Sequence, residues 1–228
     1  MFLRINYEFF FSKIYLLTND DPIDTLLDKL ERAFDTGVIS LLQVRRKNTL
    51  QQFDLVTLYQ EAELLVDLAS RYNIDVVMND NLELASHFGT GLHLGQRDGS
   101  VRVAREILGE QVVIGRTCHS DMALFREAKK DGATYGAMGT VFSSITKPKA
   151  KTVSAEILQK AAKIDFPLCV IGGVTLDNSE ELHHKMNGER LDYIAVTADI
   201  MNQPSDTIAK KCLGWKRVLD NWHFDYYR

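Results

Sequence analysis

Apolar positions along the chain alternate between two kinds of period. Lys13–Thr18 (KIYLLT) is a short apolar run, and Pro22–Thr36 then carries Leu26, Leu27, Leu30 and Phe34 at helical spacing before Gly37 stops it. The couplet repeats down the chain. Further strands are predicted at Val38–Val44, Asp75–Met78, Gly91–Leu94, Val112–Gly115, Thr134–Val141, Pro167–Ile171 and Leu191–Val196. Helices are predicted at Leu50–Arg71, Asn81–Phe88, Ser100–Leu108, Ser120–Lys130, Ser154–Lys163, Asp177–Met186 and Ser205–Asn221, with Ser100 and Ser120 placed to cap theirs.

Eight short, nearly continuous apolar strands, each followed by a helix, imply a parallel sheet covered by helices. Open doubly wound sheets usually stop at five or six strands, so eight units point to closure as a single (βα)8 TIM barrel of class α/β. No Pro/Gly/Ser-rich linker or charge block divides the chain. The expected organisation is an N-terminal extension at 1–12 and one barrel domain at 13–228.

The 228 residues are 45% hydrophobic and 25% charged, the balance of a globular protein. A formal charge of −4 argues against nucleic acid as a partner, since that binding needs a basic surface. The opening MFLRINYEFFFSK is interrupted by Arg4 and Glu8 and lacks a cleavage site, and no run reaches the roughly 18–20 apolar residues of a membrane span. Three cysteines outside any CxxC pair read as reduced thiols, so a cytoplasmic protein without membrane contact is expected.

In such a barrel the chemistry belongs at the C-terminal strand ends. Strand two ends LLQVRRKN, and alternation puts Gln43, Arg45 and Lys47 on one face, an arrangement suited to an anion or simply a solvated basic end. Strands three and four deliver Asp80 (MND) and Asp98 (HLGQRD) just past their apolar residues, where two carboxylates suit Mg²⁺ or serve as turn residues. His93 lies between Gly91 and Gly95, either as a satisfied buried histidine or beside room for a ligand. Thr117 in GRTCH can donate a hydroxyl to phosphate or cap a turn, and neither Cys118 nor His119 receives a role. The loop FSSITKPKA offers Ser143, Ser144, Thr146 and the mobile cation Lys147, and suits a lid. Gly172 and Gly173 after strand seven, with Thr197 and Ala198 after strand eight, occupy the usual phosphate side of a barrel. His183 and His184 form no i, i+4 metal pair, and His223 lies in an aromatic tail.

Together QVRRK, MND, HLGQRD, GRTCH, FSSITKP, VIGGVT and IAVTADI, in this order at strand ends from about Lys13 to Ile200, resemble the thiamine phosphate synthase family of TIM barrels. The resemblance implies a transferase that joins hydroxymethylpyrimidine diphosphate to thiazole phosphate with loss of pyrophosphate. It implies Gln43 and His93 at the pyrimidine and Arg45, Lys47, Asn79, Thr117 and Lys147 on the diphosphate, with Lys147, Thr117, Arg45 and Lys47 assisting its departure. It further implies Mg²⁺ on Asp80 and Asp98, and Ser144, Thr146, Gly173, Thr197 and Ala198 around the thiazole phosphate. Small molecules are thus the expected partners, and assembly into a homo-oligomer is left open.

Four segments depart from the family pattern. Arg46 stands where an acid is usual, facing away from Gln43, Arg45 and Lys47. Thr117 replaces a serine, Ser143–Ser144 a proline–threonine, and Thr197–Ala198 a valine–serine. A thiazole tautomerase on the same barrel is one alternative, but Asp98 and Lys147, which favour the synthase, are both present. A non-catalytic barrel that senses thiazole or pyrimidine phosphates is the other, and it has no need for a pair of metal carboxylates.

Overall fold

The computed structural model describes residues 12–47, 49, 54–143 and 151–225. Eight parallel strands close into a barrel in sequence order, β1 (Lys13–Leu17), β2 (Ile39–Val44), β3 (Asp75–Asn79), β4 (Gly91–Leu94), β5 (Ile114–His119), β6 (Tyr135–Gly139), β7 (Leu168–Ile171) and β8 (Tyr193–Val196). The closing pair β1–β8 aligns Ile14 with Ile194 and Leu16 with Val196. The helices between them are α1 (Ile23–Phe34), α2 (Leu55–Arg71), α3 (Leu82–Phe88), α4 (Val101–Leu108), α5 (Met122–Lys130), α6 (Ala155–Ala162) and α7 (Ser179–Met186). After β8 come a four-residue helix α8 (Ala198–Met201) and the long α9 (Ile208–Asp225). Among the described residues no helix is long and apolar enough to cross a membrane.

Side-chain alternation on the strands produces two cores. One, with Leu16, Leu42, Met78, Leu92, Met138, Val170 and Ile194, lies between strands and helices. The other fills the barrel with Tyr15, Leu17, Leu41, Val77, Tyr135, Ala137, Cys169 and Ala195. Local chemistry sets the helix starts. Asp54, Asn81, Ser100 and Ser154 each accept a backbone N–H from the third residue onward, the standard N-cap bond.

Several expected boundaries shift. The serine cap expected for the fifth helix is instead Asp121, the residue directly before Met122, which accepts from Ala123 and Leu124. Strand five runs on through Thr117 to His119, carried past the expected end by pairing with β6 and a register shift between those two residues. The stretch expected as helix from Asp177 begins as a 3-10 turn, Leu176–Asn178, closed by a Thr175–Asn178 capping box. The expected N-terminal extension falls outside the described residues up to position 11, as do 50–53 at the expected start of the second helix.

Candidate active site

Asp80 directly follows β3 and lies in the left-handed region (φ 58°), a conformation costly for a non-glycine residue. Two contacts hold it there: Oδ1 accepts Gly95 N–H at 2.9 Å and Oδ2 accepts Asn79 Nδ2–H at 2.7 Å. Asp98 reaches the same place from the turn after β4. A Cβ on Gly95 would lie 2.2 Å from Oδ2 of Asp98 and 3.5 Å from Oδ1 of Asp80, so both carboxylates crowd around a residue that has no side chain. Desolvation, and then the Asp80 charge beside it, hold the Asp98 pKa above the ordinary carboxylate value. Arg116 on β5 opposes that shift and pins the turn by donating to Gly99 O at 2.8 Å and Gln96 O at 3.1 Å.

Two facing carboxylates beside solvent form a donor set that suits Mg²⁺, which keeps waters and substrate oxygens in its remaining positions. Among the described residues no group of three or more His, Cys, Asp or Glu collects, so the pattern of a closed all-protein metal site is absent there.

Gln43, buried on β2, donates from Nε2 to the Tyr15 hydroxyl at 2.5 Å. The Tyr135 hydroxyl donates to Tyr15 at 2.9 Å and lies 2.7 Å from His93 Nδ1, while His93 Nε2 lies 2.8 Å from Thr117 Oγ1. Burial, then the charge of Arg116, push the His93 pKa down to about 4, so the ring is neutral near pH 7. Burial likewise raises both tyrosines. The room left by the glycines flanking His93 is taken up by the protein itself. A Cβ on Gly91 would meet Val113 O at 2.2 Å, and Gly95 accommodates Asp98. The expectation of ligand space there is therefore corrected in favour of the satisfied histidine.

Arg45 is half-buried, its backbone fixed by Thr18, whose hydroxyl accepts Arg45 N–H at 2.8 Å and donates to Arg45 O at 3.1 Å. Strand alternation ends at Val44, so Lys47 is exposed beyond the strand and is not placed by the pleat that orients Gln43. Arg46 faces the other way, as expected, and forms a buried two-point pair with Glu61 of α2 at 2.9 and 3.0 Å. A small cleft lined by Arg45, Lys47, Asn79 and Asn81 opens beside this strand end.

On the far side, Gly172 and Gly173 both have positive φ (97° and 69°), and a Cβ on Gly173 would strike Phe142 O at 2.3 Å. The pair thus lets the loops after β6 and β7 touch. Asn178 Nδ2–H donates to Gly173 O at 2.9 Å. Thr197 and Ala198 begin α8, and the buried Asp199 next to them accepts from Leu176 N at 3.1 Å, Trp215 Nε1 at 2.8 Å and Lys211 Nζ at 3.0 Å. Ser144, Thr146 and Lys147 lie outside the described residues. His183 stacks on Trp222 at 4.9 Å and His184 is exposed, neither near the strand ends' polar groups named above.

Four residues described above were not singled out by pattern: Tyr15, Tyr135, Arg116 and Asp199. Arg116 and Asp199 carried a signal, a charge inside or just after an apolar strand. The tyrosines carried none, being indistinguishable from ordinary core aromatics.

A model of the thiamine monophosphate synthase family matches residues 14–200. The structure is similar to thiamine phosphate pyrophosphorylase from Pyrococcus furiosus, at 23% identity and TM-score 0.72 over 92% of this chain and 96% of that one. It is also similar to 3-hexulose-6-phosphate synthase from Salmonella typhimurium, at 16% identity and TM-score 0.66 over 93% and 100% of the two chains. Orotidine 5'-phosphate decarboxylase from Pyrococcus horikoshii OT3 aligns at 11% identity and TM-score 0.60 over 91% and 98%. At these identities the structural likenesses establish the barrel.

Proposed function

Because the chain belongs to the thiamine monophosphate synthase family, a family of transferases, we propose that it couples hydroxymethylpyrimidine diphosphate to thiazole phosphate and releases pyrophosphate. The bond between the pyrimidine methylene and its diphosphate oxygen breaks, and the electron pair leaves with pyrophosphate. The thiazole nitrogen supplies the pair for the new bond to that methylene, giving thiamine monophosphate.

The protein's task is to hold the two substrates and stabilise charge on the leaving group. Arg45, Lys47 and Lys147 supply cations to the diphosphate, and Asn79 and Thr117 supply hydrogen bonds. Gln43 orients the pyrimidine. His93, with both ring nitrogens already engaged by Tyr135 and Thr117, acts beneath the pyrimidine by holding Thr117. Gly173, Thr197 and Ala198, together with Ser144 and Thr146, bind the thiazole phosphate. Mg²⁺ held by Asp80 and Asp98 would neutralise charge on the diphosphate oxygens.

The observation that carries this reading is the convergence of Asp80 and Asp98 at Gly95, beside Asn79 of the predicted diphosphate set. The test mixes purified protein with the pyrimidine diphosphate, the thiazole phosphate and Mg²⁺, and follows pyrophosphate and thiamine monophosphate. Equal amounts of the two products, dependent on Mg²⁺ and reduced at least tenfold by Asp98→Ala, are expected. No Mg²⁺-dependent product overturns the reading.

A further inference from the structure

Five side chains from five strands touch in series inside the barrel: Gln43, Tyr15, Tyr135, His93 and Thr117, with successive contacts of 2.5, 2.9, 2.7 and 2.8 Å. Strand β5 gives up a side chain to permit the middle of this series. A Cβ on Gly115 would lie 2.1 Å from Tyr135 Cζ and 2.7 Å from His93 Nδ1. The His93 and Tyr135 rings meet at 5.7 Å and 27°.

Proton counting restricts what the chain can do. Each hydroxyl carries one proton and a neutral imidazole carries one N–H. Tyr135 touches both Tyr15 Oη and His93 Nδ1 but can donate to only one of them. When it donates to Tyr15, Nδ1 must bear the ring proton and donate to Tyr135. Nε2 is then bare and accepts from Thr117, which shows only lone pairs to the barrel mouth. When Tyr135 instead donates to Nδ1, the ring proton sits on Nε2 and donates to Thr117. The Thr117 proton is then free to point outward, and Tyr15 donates to Tyr135 while accepting from Gln43. A mixed state leaves two protons or two lone pairs facing each other in a buried site, which is costly.

We propose that Tyr15, Tyr135 and His93 form a relay of reversible polarity that couples Gln43 to Thr117, with an anion at Thr117 switching the whole chain to outward donation. Tyr135 is thereby a positioning residue for the diphosphate. The proposal rests on the synthase reading only in taking the natural anion to be the pyrimidine diphosphate. In the inward state Tyr15 accepts from Tyr135 and donates to the Gln43 amide oxygen, whereas in the outward state it accepts from the amide nitrogen, so a pyrimidine that holds the amide with its nitrogen towards Tyr15 favours a Thr117 that donates to the diphosphate of the same molecule.

The test uses the full chain and inorganic pyrophosphate with Mg²⁺. Long-range ¹H–¹⁵N spectra report which nitrogen of His93 carries the proton, its signals being identified by their loss in His93→Gln. The Nδ1–H tautomer is expected in the free protein and the Nε2–H tautomer with pyrophosphate bound. The same tautomer in both states overturns the relay. By titration calorimetry, Tyr135→Phe is expected to weaken pyrophosphate binding by roughly three- to tenfold, the worth of one hydrogen bond. Added to Thr117→Val, it should cost nothing further, whereas additive losses overturn the coupling. The two proposals fail separately. Pyrophosphate binding with the tautomer change but no coupled product removes the synthase reaction alone, and a working synthase with an unchanged His93 removes the relay alone.

Discussion

A methyl group at position 95 would occupy the space now held by the Asp98 carboxylate, 2.2 Å from its Oδ2. Gly95 does not have positive φ, so alanine is conformationally acceptable there, and the clash falls on the far end of an exposed side chain. Gly95→Ala should therefore fold with a melting temperature close to that of the original protein. Its Asp98 carboxylate must swing away from Asp80, and the Mg²⁺ concentration for half-maximal turnover should rise about tenfold or more, the usual cost of disturbing the support of a metal ligand. A Mg²⁺ titration of turnover checks it, and an unchanged midpoint would show that the two carboxylates do not act together. Asp80 and Asp98 were legible in the sequence because position after an apolar strand is itself a signal. Tyr15 and Tyr135 were not, since a buried tyrosine in a strand looks like any core aromatic until its hydroxyl partner is known. The role of His93 was half legible: burial was foreseen, but its partners come from β5 and β6, distant in sequence.

At the scale of elements, the same limit recurs wherever one segment's chemistry is completed by another. The order of eight strands and their helices is readable because each element carries its own period. Helix α8 is not, because four residues are too few to show one. Arg46 is the clearest instance. Its side was given by alternation, yet its meaning comes from Glu61, fifteen residues on, which takes both arms of the guanidinium, while Asn19 O accepts from Nη1 at 2.6 Å. This buried pair ties β2 and the turn bearing Arg45 to α2. Removing one partner strands a charge, so Glu61→Gln and Arg46→Met should each cost about 3–5 kcal/mol. Replacing both with apolar residues, Arg46→Met together with Glu61→Leu, removes the two charges at once and should cost less than either single change. Urea unfolding of the three variants measures the difference; a double variant less stable than both singles would assign the pair a net stabilising role.

For the whole molecule, the closed barrel places its polar chain where water does not reach, and this ties stability to pH. His93 is 6% exposed, and its pKa falls from the ordinary 6.5 to about 4. The unfolded chain therefore binds a proton below pH 6.5 that the folded barrel refuses until about pH 4. This stability is fully present above pH 6.5 and is lost as the pH falls towards 4, amounting to on the order of 3 kcal/mol over the whole window. Asp98 and Asp192 act in the opposite direction, since their raised pKa values let the folded state take up protons early, and Asp98 is too exposed to contribute much. Comparison with His93→Gln removes the histidine's own proton while leaving Asp192 in place. Urea midpoints taken from pH 7.5 down to pH 4.5 should converge, with the original protein losing stability faster than the variant. Parallel curves would place the His93 proton in the folded state and remove the neutral imidazole on which the interior hydrogen-bond chain depends.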